Sequence, residues 1–371
     1  MRLTKDSRMT GKERVRAVLN HESTDRLAFV PCIDPYFKSG LDTPFNQMNI
    51  YELQAVCGSD MLRGVSFCKI RFDETVQHVH QENSNGEIID FYSTPLGDLK
   101  EVQRFTEQSP YIPFPTEYLI KRIDDLKVYR YLLHHIIIEA DYENINFLIK
   151  KFDNLMVSCS VEDSSFRQLL TKKIGVENFV YLFYENQNEL EETFHDLALH
   201  FNNQLHIAAQ SPSEVFICYE NTNVANSSPA WFEKYELPLL NTYADIVHQY
   251  GKKIFIHMCG RINQIIEPIA EANFDGIIDV SPPPTGDIDF VSTIPLFSGQ
   301  QKILAGGIEC NTFVLKDLKI FEERISILLD EIPIRSGFML GSGDAVPMGA
   351  ALQHFEIIQK LLNFKVRKNT A

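Results

Sequence analysis

The chain has 371 residues, and its 35 Lys+Arg against 50 Asp+Glu leave a formal charge of −15, a balance that argues against nucleic acid and anionic membranes as partners. A composition 44% hydrophobic and 23% charged is that of a folded globular protein and excludes a disordered or fibrous one. Seven cysteines, odd in number and mostly set in apolar runs, point to reduced thiols. With no signal-peptide core after Met1 to Thr10 and no apolar run near the ~18 residues of a membrane span, a cytoplasmic protein is expected.

In chain order, Thr10 and Glu13 form a T-x-x-E capping box that opens a helix, with Val15, Val18 and Leu19 at helical spacing. An apolar strand is predicted at 27–33, a helix from Ile50 to Cys57 and a strand near 65–70. Segments 65–80 and 87–92 flank Asn83-Ser84-Asn85-Gly86, a tight-turn signal that predicts a small antiparallel hairpin insertion near residues 65–100. Helical patterning is read from Glu117 through His135 and from Tyr142 to Phe152, followed by a strand at 155–159. Further strands are predicted at 214–219, 253–257, 276–280, 303–308 and 337–341, with helices such as 229–250 and 315–331 between them. Eight strands with interposed helices give an α/β fold, a (β/α)8 TIM barrel. With no linker in view, residues 1–371 are expected to form one domain.

Active sites of such barrels lie at the carboxyl ends of the strands, and those ends are polar here: Glu220-Asn221, His257-Met258-Cys259, Asp279, Glu309-Cys310 and Gly343-Asp344. His257 and Cys259, two apart at a strand end, project to the same side. A thiolate and an imidazole suit zinc, with a third ligand from another strand. Asp344 is the expected third ligand, although it also suits a helix cap; Cys310 is its rival. Glu220 suits a metal ligand, a proton relay or a substrate acceptor, with Asn221 beside it. His134-His135 reads as structural, and His78 and His80, on one face of a strand, are left without a role.

Several segments together are similar to the uroporphyrinogen decarboxylase superfamily. They are Met9 through His21 closing with Asp25-Arg26, Thr94-Pro95-Leu96-Gly97, Tyr118 to Lys121 with Asp125-Leu126, His257-Met258-Cys259-Gly260, and Gly337 through Pro347. The resemblance runs over nearly the whole chain and implies a (β/α)8 barrel. The arginine-rich substrate loop of the true decarboxylases is replaced by Pro31-Cys32-Ile33-Asp34-Pro35. His257-x-Cys259 instead resembles the zinc methyltransferase branch, which implies zinc, a corrinoid carried by a corrinoid-binding partner protein, and a small-molecule methyl acceptor or donor such as a thiol or tetrahydrofolate. Where that branch has a second cysteine, this chain has Asp344. Two other readings stay open, a lyase acting on a small carboxylated substrate and a non-catalytic barrel serving as subunit or sensor.

Overall fold

Runs of apolar residues long enough to be buried on both faces become the inner wall of the protein. The computed structural model describes residues 8–106, 109–332 and 337–369. Eight parallel strands carry it: β1 (Ala28–Phe29), β2 (Met61–Val65), β3 (Met156–Val161), β4 (Val215–Cys218), β5 (Lys253–His257), β6 (Gly276–Val280), β7 (Ile303–Ile308) and β8 (Phe338–Ser342). They are hydrogen-bonded in the order β1-β8-β7-β6-β5-β4-β3-β2, with helices between successive strands. This is the expected TIM-like α/β barrel.

Alternation along each strand divides the core in two. Ala28, Met61, Met156, Val215, Ile217, Phe255, Ile278, Ile303, Ala305 and Met339, drawn from all eight strands, fill the interior together with Val15 and Val18 of the helix Gly11–Leu19. Neighbours such as Phe216, Ile256, Ile277 and Leu304 face outward into the larger cluster shared with the helices. Thr10 caps the first helix as expected, accepting from the Glu13 amide at 3.2 Å while the Thr10 amide donates to Glu13 at 2.8 Å.

β1 and β2 stand at the two ends of the ladder, and the seam between them is bridged at its base by Asp60. Its amide donates to Phe29 O at 2.7 Å, and its Oδ2 accepts from the Phe29 amide at 2.8 Å, so a side-chain oxygen does the work of the missing ladder carbonyl. The carboxylate is buried and held by two arginines, Arg14 Nη1 at 2.6 Å from Oδ1 and Arg26 Nη1 at 2.9 Å from Oδ2. Arg14 also bonds Asp25 through Nε at 2.7 Å. The polar residues of the N-terminal motif therefore close the barrel.

Three expectations need correction. The second barrel strand is Met61–Val65, not 65–70; Cys68–Phe72 lies outside the barrel, paired antiparallel with Ile136–Ala140. The strand was obscured by Arg63 and Gly64, which break its apolar run. The insertion exceeds a hairpin: strands Gln77–Glu82, Glu87–Thr94, Gly97–Thr106 and Ser109–Glu117 make a four-stranded antiparallel sheet. Its first turn is the expected one, with Gly86 at φ 77°. The helix read from Glu117 begins at Ile123, because residues up to Glu117 belong to that sheet. The helical stretch 229–250 is a continuous run of short α and π turns leading into Leu237–Gln249. His78 and His80 share a carboxylate oxygen of Asp90, at 2.7 and 2.9 Å. His134 and His135 turn to different partners, Asp196 and Asp73.

Candidate metal centre

β5 is buried from Ile254 to His257, so its alternation is fixed by packing, and His257 ends it with its ring over the barrel mouth. Cys259 follows two residues on. Asp344 arrives from the loop after β8, whose course depends on Gly343. Ser281 Oγ donates to Gly343 O at 2.6 Å, and a Cβ at 343 would meet that Oγ at 2.5 Å, so only glycine admits this approach. One ligand atom from each of His257, Cys259 and Asp344 lies within 4.8 Å of the others. His257 Nε2 is 3.7 Å from Asp344 Oδ1.

Behind this group runs a buried relay that sequence reasoning missed. His257 Nδ1 donates to Asp279 Oδ2 at 2.6 Å. Asp279, at the end of β6 with φ 63°, takes both Nη groups of Arg63 from β2 on its two oxygens, Nη1 at 2.8 Å from Oδ1. Burial by itself would raise the Asp279 carboxyl, but Arg63 and the His257 contact hold it down at about 2. An ionised Asp279 holds a proton on Nδ1 and turns Nε2 towards Asp344. The one available signal was a carboxylate at a strand end; Arg63 gave none, since its partner lies 216 positions away.

Asn221, also in the left-handed region at φ 51°, accepts from Cys259 Sγ at 3.7 Å and donates through Nδ2 to Tyr219 O at 3.1 Å. Burial and the charge of Asp344 push the Cys259 thiol up. Cys310, the rival ligand, lies outside the three-residue group and donates to Ala345 O at 3.6 Å; burial pushes its thiol up to about 12. Glu220, read from the sequence as a metal ligand, a proton relay or a substrate acceptor, is not in the three-residue group. It is fully buried, accepting from Ser164 Oγ and Ser164 N at 2.6 Å each, and burial with Glu236 and Asp163 nearby pushes its carboxyl well up. Two bonds to one serine hold it to the loop after β3.

Beside the His257 group opens a cavity of about 420 Å³, walled by Asp34, Gln54, Arg63, Tyr219 and Asn221 among others. The arrangement offers a nitrogen, a sulfur and an oxygen donor to one cation at the edge of a space fit for a small molecule.

A methyltransferase from Methanosarcina mazei is structurally similar to the chain, with a TM-score of 0.64 at 13% identity over 96% of this chain and 99% of that one. A B12-independent methionine synthase from Shewanella sp. W3-18-1 aligns at a TM-score of 0.49 and 9% identity, over 85% of this chain and 86% of that one. No curated protein matches the chain. Among the described residues, no helix is long and apolar enough to cross a membrane. Residues 114–362, from the last strand of the inserted sheet into the closing helix Leu352–Asn369, match the model of uroporphyrinogen decarboxylase (URO-D), and the chain belongs to that family.

Proposed function

We propose that this chain is a zinc-dependent methyltransferase, moving a methyl group between a corrinoid on a partner protein and a small acceptor such as a thiol or tetrahydrofolate. The observation that carries the reading is the convergence of His257, Cys259 and Asp344 within 4.8 Å at the barrel mouth, beside a cavity of small-molecule size. The donor set fits zinc: an imidazole with its far nitrogen already bonded, a thiol and a carboxylate, from two different strand ends. Zinc, when bound, supplies a Lewis acid that deprotonates a coordinated thiol at neutral pH.

The chain's own residues do the remainder. His257 presents Nε2, with its Nδ1 proton kept in place by Asp279 and Arg63. Asn221 orients Cys259 Sγ. Glu220 acts at a distance, fixing Ser164 and with it the loop after β3. The tetrapyrrole decarboxylase reading finds no support, because Arg63 is the one cationic side chain among the cavity-lining residues and is already paired. One domain spanning residues 1–371 is part of the proposal.

The test follows the cobalt spectrum of methylcob(III)alamin, or a methylated corrinoid protein, with purified zinc-loaded protein and thiols or tetrahydrofolate. Demethylation by a thiol, abolished in Cys259→Ala, is the expected result. Metal-independent demethylation with tetrahydrofolate alone would remove the thiol mechanism, and none with any acceptor would return the lyase and non-catalytic readings.

A further inference from the structure

The cavity beside His257 contains few groups that an anion can use. Arg63 spends both Nη groups on Asp279, its side chain is 3% exposed, and its Nε, which has no hydrogen-bond partner, lies below the surface where the space does not reach it. Gln54 Nε2 donates to Ile33 O at 3.2 Å and Arg63 O at 3.3 Å. Asn221 Nδ2 donates to Tyr219 O at 3.1 Å, and His257 Nδ1 to Asp279. The side-chain cation of the wall is thus committed to Asp279, and the donors left to the space are neutral ones, the second Asn221 Nδ2 hydrogen, the Cys32 thiol and the hydroxyls of Tyr219 and Ser160.

The uncompensated charges on the wall are negative. Asp34 caps the five-residue helix Pro35–Ser39, accepting from the Phe37 amide at 3.1 Å, and has no cationic partner among the described residues. Burial and the charge of Asp344 raise its carboxyl. With Asp344 assigned to the metal group, Asp34 remains as the charge that an incoming molecule meets. A sulfonate, carboxylate or phosphate placed there would lose hydration and gain no cationic donor, whereas an ammonium group would gain a carboxylate in a partly desolvated space.

We propose that the cavity admits a small cationic molecule, a primary amine or quaternary ammonium, and discriminates against anions, with Asp34 as the residue that reads the charge. The proposal deepens the methyl-transfer reading by naming its substrate class, and it rests on that reading for the thiol end only.

Calorimetric titration of zinc-loaded protein at pH 7 with three thiols of equal length separates the terms: 2-aminoethanethiol, 2-mercaptoethanol and 2-mercaptoethanesulfonate. A second pair, choline and its uncharged isostere 3,3-dimethylbutan-1-ol, carries no thiol. The expected order is amine, then alcohol, then sulfonate, with at least about a tenfold step between the ends, and choline tighter than its isostere. Asp34→Asn keeps the helix cap and should erase both differences. A choline preference without any thiol binding would sustain the charge assignment and sink the thiol mechanism. Sulfonate binding as tight as the amine, or preferences that survive Asp34→Asn, would overturn the assignment while leaving the thiol mechanism intact. Absence of binding by all five compounds would overturn it as well.

Discussion

Asp60→Asn is expected to lower the stability of the whole barrel by about 3–5 kcal/mol, the scale found when one partner of a buried ion cluster is removed. The carboxylate serves Arg14, Arg26 and the Phe29 amide at once. Its neutral replacement removes the charge that balances two buried guanidinium groups and sets an amide NH2 where one of the two oxygens now accepts, opposite Arg26 and either Arg14 or the Phe29 amide. For a chain of this length the entropy of unfolding is about 0.8 kcal/mol/K, so the melting temperature should fall by about 4–6 °C. Asp25→Asn is the comparison. Its partner Arg14 retains Asp60, and the Asp25 side chain is 20% exposed, so a loss of about 1 kcal/mol is expected. Thermal unfolding followed by circular dichroism checks both, and equal shifts for the two variants would show that the seam has no special weight.

At the mouth, His257→Ala and Cys259→Ala should each lower zinc affinity by well over a hundredfold, while Asp279→Asn should cost about 10- to 100-fold, as for partners that orient a ligand. Asparagine tolerates the left-handed backbone of position 279 and keeps an acceptor for His257 Nδ1, so the variant isolates the charge that Arg63 holds down. Cys310→Ala should leave affinity unchanged. Competition against a chromophoric chelator reads all four; full affinity in His257→Ala together with loss in Cys310→Ala would relocate the site.

The elements legible in the sequence are those whose residues announce their own burial. β5, β6 and β7 carry apolar runs, Ile254–Ile256, Gly276–Ile278 and Ile303–Ile308, with polar residues only towards their ends, and they lie where the sequence places them. β2 does not announce itself, since Arg63 at its centre is an interior residue only because Asp279 waits across the barrel. The strand Ser109–Glu117 contains three prolines, which conceal a sheet edge from pattern reading. The same division holds at the site. His257 and Cys259 are visible by their spacing and Asp344 by its place after the last strand, because each depends on local geometry. Arg63, Asp34 and the capture of Glu220 by Ser164 depend on which loops meet in space, and no local pattern encodes that meeting.

The seam between β1 and β2 lies directly beneath the cavity, whose wall is built from Cys32–Pro35 after β1 on one side and from Gln54, Arg63 and Gly64 around β2 on the other. Elsewhere adjacent strands are locked by a ladder; here the two walls are joined below by the Asp60 cluster and above by Arg63 reaching Val30 O at 3.4 Å. Native-state hydrogen exchange should therefore divide the barrel. The amides of Ala28–Phe29 and Met61–Val65 should exchange through a sub-global opening, well before those of β4 through β7, which release only with global unfolding. Breathing along that line would widen the cavity without disturbing His257 and Cys259, which sit on the rigid half of the ring.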